Sequence, residues 1–97
     1  MTMHHPPHPG EFIQSVYLAD TQMSARALAI HLGVAASTLN RVLTGLASIS
    51  PEMALRLSIA LGRTPESWLA MQHLYDLWQA RKTVDLSKIR RVEFVSA

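Results

Sequence analysis

Apolar residues recur at helical spacing in five successive stretches of this chain, with short polar or glycine-containing breaks between them. From about Pro9 to Ala19, Phe12, Ile13, Val16 and Tyr17 fall at i, i+1, i+4 and i+5, which predicts a helix with one inward face. Pro9 suits its first turn and Glu11 the positive end of its dipole. A second helix runs from Ser24, a good N-cap, to Leu32, with Ala25, Leu28, Ala29 and Leu32 as its stripe and Gly33 as its stop. The third spans about Ala36 to Thr44 and directs Leu39, Val42, Leu43 and Leu46 inward, with Gly45 ending it. Ser50, Pro51 and Glu52 open a fourth helix that stops at Gly62, and Thr64, Pro65 and Glu66 repeat that opening for a fifth, reaching about Lys82. Met53, Ala54, Leu55, Leu57, Ile59, Ala60 and Leu61 make the fourth helix apolar almost all round, so it is expected at the buried centre. Short connections between five helices predict a compact all-α bundle. At the ends, residues 1–8 read as an extended, flexible arm, residues 9–82 as the domain and residues 83–97 as a basic tail. In the tail, Val92 and Phe94 alternate with Arg91, Glu93 and Val95, which leaves two readings: a short strand, or a segment that orders on a partner.

A length of 97 residues fits one domain that buries roughly 65% of its extended-chain surface. With 48% apolar and 16% charged residues, an intrinsically disordered regulator is excluded. Cysteine is absent, which removes disulfides, thiol catalysis and cysteine-based metal sites. No apolar run of about 18 residues exists, and Met1 to Gly10 lacks the apolar core of a secretory signal, so a cytoplasmic location is expected. The net charge of +2 is unevenly spread. Residues 81–97 hold Arg81, Lys82, Lys88, Arg90 and Arg91 against Asp85 and Glu93, while Thr21 to Ser50 holds Arg26 and Arg41 and no acid at all. An acid-free stretch is what a phosphate-facing surface needs.

The second and third helices with their Gly33 turn carry the chemistry. Gly33 tolerates a positive φ, Ala29 is small where the helices cross, and Leu28, Leu39 and Val42 lock the pair to the core. This is the helix-turn-helix arrangement, whose second member enters the DNA major groove. With the apolar face inward, Ser37, Arg41 and Thr44 lie opposite it, flanked by Thr38 and Asn40. Arg41 suits the O6 and N7 acceptors of guanine and is the first candidate for base readout. Asn40 suits adenine or a phosphate, while Ser24, Ser37 and Thr44, with the N–H groups at helix starts, suit phosphates. The small Ala47–Ser48 loop lets the backbone approach DNA.

Met23 to Gly45, MSARALAIHLGVAASTLNRVLTG, resembles the lambda-repressor-like (Cro/C1, XRE) helix-turn-helix. The stretches HPGEFIQSVYL, TLNRVLTG and ISPEMALRLSIALGRTPESWLAMQHLYDLWQAR are more narrowly similar to the HigA (VapI) antitoxins, over about Pro7 to Arg81. The resemblance implies a five-helix lambda-repressor-like domain that dimerises, represses its own operon and neutralises HigB, a RelE-like, ribosome-dependent mRNA endonuclease toxin. Carried over by position, its base-reading residues fall on Ala36, Ser37 and Arg41, and its phosphate-binding residues fall around Ala25 and Thr44. Glutamines are frequent at such positions in phage repressors. Ala25 and Ala36 have no hydrogen-bonding side chain, which shifts readout toward Arg41, although Ala36 can still touch a thymine methyl.

On the fifth helix, Trp68, Ala70, Met71, Leu74, Tyr75, Leu77 and Trp78 cover about half the circumference, more than the stripe of roughly 100° that one core requires. Gln72, His73, Asp76 and Gln79 are expected on the other side. Aromatic residues and Met on one stripe have the composition of an interface core, so Trp68, Met71, Leu74, Tyr75 and Trp78 are the candidate dimer contacts. A two-fold dimer reads two half-sites about 34 Å apart. Arg56 and Arg63 are expected to pair with Glu52, Glu66 or backbone carbonyls rather than DNA. No catalytic constellation, glycine-rich phosphate loop or cofactor motif is present, so an enzyme is not expected. His4, His5 and His8 lack a carboxylate or thiol partner and are broken up by prolines, so no dedicated metal site is expected. Two other functional readings stay open: a stand-alone repressor with no toxin, and a protein-interaction module that no longer binds DNA.

Overall fold

The computed structural model describes residues 5–95; His4 of the histidine-rich arm lies outside them. Five α-helices follow one another: α1 (Pro9–Ile13), continued by a π-helical turn over Gln14–Leu18, then α2 (Ala25–Leu32), α3 (Ala36–Leu43), α4 (Pro51–Leu61) and α5 (Pro65–Thr83). Their starts are set by side-chain caps. Ser24, Ser50 and Thr64 accept from the N–H of Ala27, Met53 and Ser67 at 3.0, 3.1 and 3.1 Å, each worth about 1 kcal/mol. Gly33, at φ 71°, closes α2 in the left-handed conformation.

One core joins all five helices. Ile13, Leu28, Ala29, Leu32, Leu39, Val42, Leu43, Ile49, Met53, Ala54, Leu57 and Trp68 are buried in it. Gly10 sits so close to α3 that an added Cβ would lie 1.9 Å from the Val42 carbonyl oxygen. The start of α1 is therefore seated directly on the end of α3.

Four expectations about packing change. The first helix is not α-helical to Ala19: from Gln14 it turns with the wider i to i+5 spacing, Ala19 N–H donating to Gln14 O at 2.8 Å. That extra residue keeps Tyr17 against the core, brings Leu18 to it and leaves Val16 exposed. Secondly, α4 is not the all-round buried centre. Met53, Ala54 and Leu57 face the core, while Leu55 and Ile59 point away from it, 56% and 87% exposed. Thirdly, Leu46 is exposed, because the chain leaves the helical path at Thr44 before that residue can turn inward. Fourthly, residues 5–8 are docked rather than free. The His5 ring stacks on Trp78 of α5 at 3.9 Å, and His8 is buried, its Nδ1 accepting from Gly10 N–H at 2.9 Å.

The tail from Val84 to Val95 is exposed and forms no strand among the described residues. A turn marks it, with Ser87 N–H donating to Asp85 and Arg90 donating to Ser87 O. No helix of the described residues is long and apolar enough to cross a membrane.

Candidate nucleic-acid interface

The α2–α3 pair forms the candidate site. Leu39, Val42 and Leu43 anchor α3 in the core, and the opposite face of the helix is open. Ala36, Ser37, Thr38, Asn40, Arg41 and Thr44 are all exposed, so the structure brings together on one helix every α3 residue expected to meet DNA. Ser24 is also exposed, one helix away at the start of α2. Arg41 makes no ion pair among the described residues and keeps its guanidinium available.

Two hydroxyls are already engaged. Ser24 Oγ caps α2, and Thr44 Oγ1 donates to Asn40 O at 2.8 Å. A phosphate contact from Thr44 requires its hydroxyl to rotate off that carbonyl. Ala35, which precedes α3, supplies no side-chain cap, so the first-turn N–H groups of the helix have no side-chain acceptor of their own. Ala25 is half-buried against the core, which explains why a small apolar residue stands there.

Three side chains hold this face in place. Arg56 of α4 pairs with Glu52 at 3.0 Å and donates from Nη1 to Leu32 O at 2.8 Å and Gly33 O at 3.3 Å. It thereby satisfies the carbonyls at the end of α2, where the helix-turn-helix turn begins. Gln14 donates from Nε2 to Leu43 O at 2.9 Å and does the same for α3. Gln72, expected on the polar side of α5, is instead buried: its Oε1 accepts from Ile49 N–H at 2.9 Å and its Nε2 donates to Asp76 at 3.0 Å. Its spacing of four from Trp68 placed it on the same helical face, a signal that its polarity masked. Arg63 has a different role from the one expected. Its guanidinium lies over the rings of Phe12 and Trp68, at 5.1 and 5.6 Å from their centroids, rather than beside Glu66.

The candidate dimer residues separate. Trp68 is fully enclosed, its Nε1 donating to Gly62 O at 3.0 Å, and has no surface to offer a partner. Met71 is half-buried against the core. Tyr75 and Trp78 are half-buried beneath His5 and His8, and Lys82 lies over the Trp78 ring at 3.9 Å. Leu74 stays open, as does Leu77 beside it, 60% and 49% exposed.

The likeness to known proteins follows the same architecture. A helix-turn-helix family profile matches residues 22–69. The HTH-type transcriptional regulator YddM of Escherichia coli K12 is 42% identical over 92 residues, 95% of this chain and 97% of YddM. Antitoxin HigA-1 of Vibrio cholerae is 36% identical over 80 residues, 82% of this chain and 75% of its own. Antitoxin GraA superposes with a TM-score of 0.86 at 39% identity, over 93% of this chain and 100% of GraA. The structure of GraA in complex with its operator gives 0.84 at 37% identity, over 97% and 98% of the two chains. Sequence, fold and exposed recognition helix agree: this chain belongs to the HigA-type antitoxins of the helix-turn-helix family, DNA-binding regulators that are not enzymes.

Proposed function

We propose that this protein is the antitoxin of a type II toxin–antitoxin pair, acting in the cytoplasm as a homodimer that binds the operator of its own operon and neutralises a HigB-like mRNA endonuclease. The observation that carries the DNA-binding half is the exposed face of α3, with Arg41 at its centre and an acid-free chain on either side. Ser37, Thr38, Asn40 and Arg41 supply base-edge or phosphate hydrogen bonds, Ala36 supplies contact to a thymine methyl, and Ser24 and Thr44 supply phosphate contacts. GraA, similar over nearly the whole length of both chains, has been seen on its operator, which supports the same mode here. The dimer pairs two such faces over two half-sites, and the open residues Leu74 and Leu77 of α5 are its best-placed contacts.

The toxin half rests on the likeness to antitoxins HigA-1 and GraA. The 42% identity to YddM, a transcriptional regulator by name, supports a second reading: a stand-alone repressor with no toxin. A translation reaction separates the two. The product of a reading frame adjoining this gene is expected to cleave ribosome-bound mRNA, and a molar equivalent of this chain is expected to stop it. Cleavage that continues in the presence of the chain, or the absence of any cleaving neighbour, leaves the repressor reading.

A further inference from the structure

We infer that His8, in its neutral form, is a positioning residue for DNA binding: it locks the start of α1 and the loop after the recognition helix against α5, so that operator affinity depends on the lock. The inference rests on the DNA-binding reading above. His8 lies at a junction of three elements. Its Nδ1 caps α1 by accepting from Gly10 N–H at 2.9 Å. Its ring also lies against the loop between α3 and α4, where a Cβ added at Gly45 would sit 3.9 Å from it. Edge-on, it packs against Tyr75 of α5, centroids 5.0 Å apart at 84°.

Movement of the cap reaches the recognition helix by contact. Gly10 has no clearance from Val42 and Leu43, and Gln14, one turn on, is bonded to Leu43 O. The same loop is held from the far side, where Gln72 binds Ile49 N–H. Thr44 to Ile49 is therefore clamped between His8 and α5, and its first residue belongs to the proposed DNA face.

The cap needs a lone pair on Nδ1. An imidazolium carries a proton on both nitrogens, so protonation turns the acceptor facing Gly10 N–H into a second donor. The charged groups facing His8 are Glu11 on α1 and Asp76 on α5; Tyr75 and His5 are the other titratable neighbours, and Thr44 to Ala47 offer none. Burial pushes the His8 pKa below its ordinary 6.5, while Ala47, Asp76 and Glu11 pull the other way. A base with a lowered folded pKa stabilises the fold fully above 6.5, and that contribution is lost as pH falls through the lower folded value. A comparison with a non-titrating residue at position 8 isolates this contribution from every other group in the chain.

The test uses the full chain and His8→Asn, which keeps a capping oxygen but does not titrate. Amide resonances of Gly10 and of Thr44 to Ala47 are followed with the His8 imidazole from about pH 8 to about pH 5. They are expected to shift with one midpoint below 6.5 in the wild type and to lose that transition in His8→Asn. By fluorescence anisotropy, acidification over the same range is expected to weaken wild-type operator binding by about threefold or more relative to His8→Asn. Superimposable pH profiles for the two proteins, or Thr44 to Ala47 amides that stay still while His8 titrates, overturn the inference. A wild type that does not bind its operator at about pH 8 refutes the DNA-binding reading instead, and the amide titration then judges the lock alone.

Discussion

Arg41 and Arg56 show one side chain in two surroundings. Arg56 is committed to Glu52 and to the carbonyls that end α2, so its contacts build the turn. Arg41 stands on the open face with no ion pair among the described residues. Arg41→Ala is accordingly expected to cost ~1–3 kcal/mol of operator affinity and to relax discrimination at one base pair, with an unchanged melting temperature. Anisotropy titrations against the operator and single-base variants measure the first, and a thermal melt the second. Gly10→Ala tests the seat of α3 on α1. Its new methyl would meet the Val42 carbonyl, a backbone atom that cannot rotate aside, so urea unfolding is expected to show a loss of ~1–3 kcal/mol or more.

At the scale of elements, α5 makes two kinds of contact that its sequence merges into one wide apolar stripe. Trp68 and Gln72 face inward, Tyr75 and Trp78 are covered by the histidines of the chain's own beginning, and Leu74 and Leu77 remain open. Trp68→Ala is expected to destabilise the domain by ~3–5 kcal/mol in urea unfolding. Leu74→Asp, by contrast, is expected to leave the helical content intact and to shift sedimentation toward the monomer; a Leu74→Asp protein that still sediments as a dimer places the interface elsewhere. The contrast explains what was legible. Helix starts and stops could be read because Ser24, Ser50, Thr64 and Gly33 are local signals whose physics acts within one turn. The open face of α3 could be read because a strong 3.6-residue period fixes both of its sides. The sides of α4 and α5 could not, because Leu55, Ile59 and Leu74 are apolar without being buried in this chain, and Gln72 is polar without being exposed. Nor could the π-helical turn at Gln14, whose side chain is bonded to Leu43 O, 29 residues away. Such placements are decided by long-range partners that no local window contains.

For the molecule as a whole, a net charge of +2 is too small to hold DNA by charge alone. In the proposed dimer, affinity comes from a pre-formed face used twice: α3 is held at one end by Gln14 and Gly10, α2 is held at its end by Arg56, and two copies are set across two half-sites. Sequence preference should then persist as salt rises, while total affinity falls with the few phosphates contacted. The direct test of this account is a fluorescence-anisotropy titration of the purified protein against the DNA upstream of its own gene, beside a scrambled duplex, over a series of salt concentrations. Tight, salt-dependent binding with a preference of about a thousandfold or more for the native sequence is the predicted result; equal, weak binding to both duplexes contradicts it.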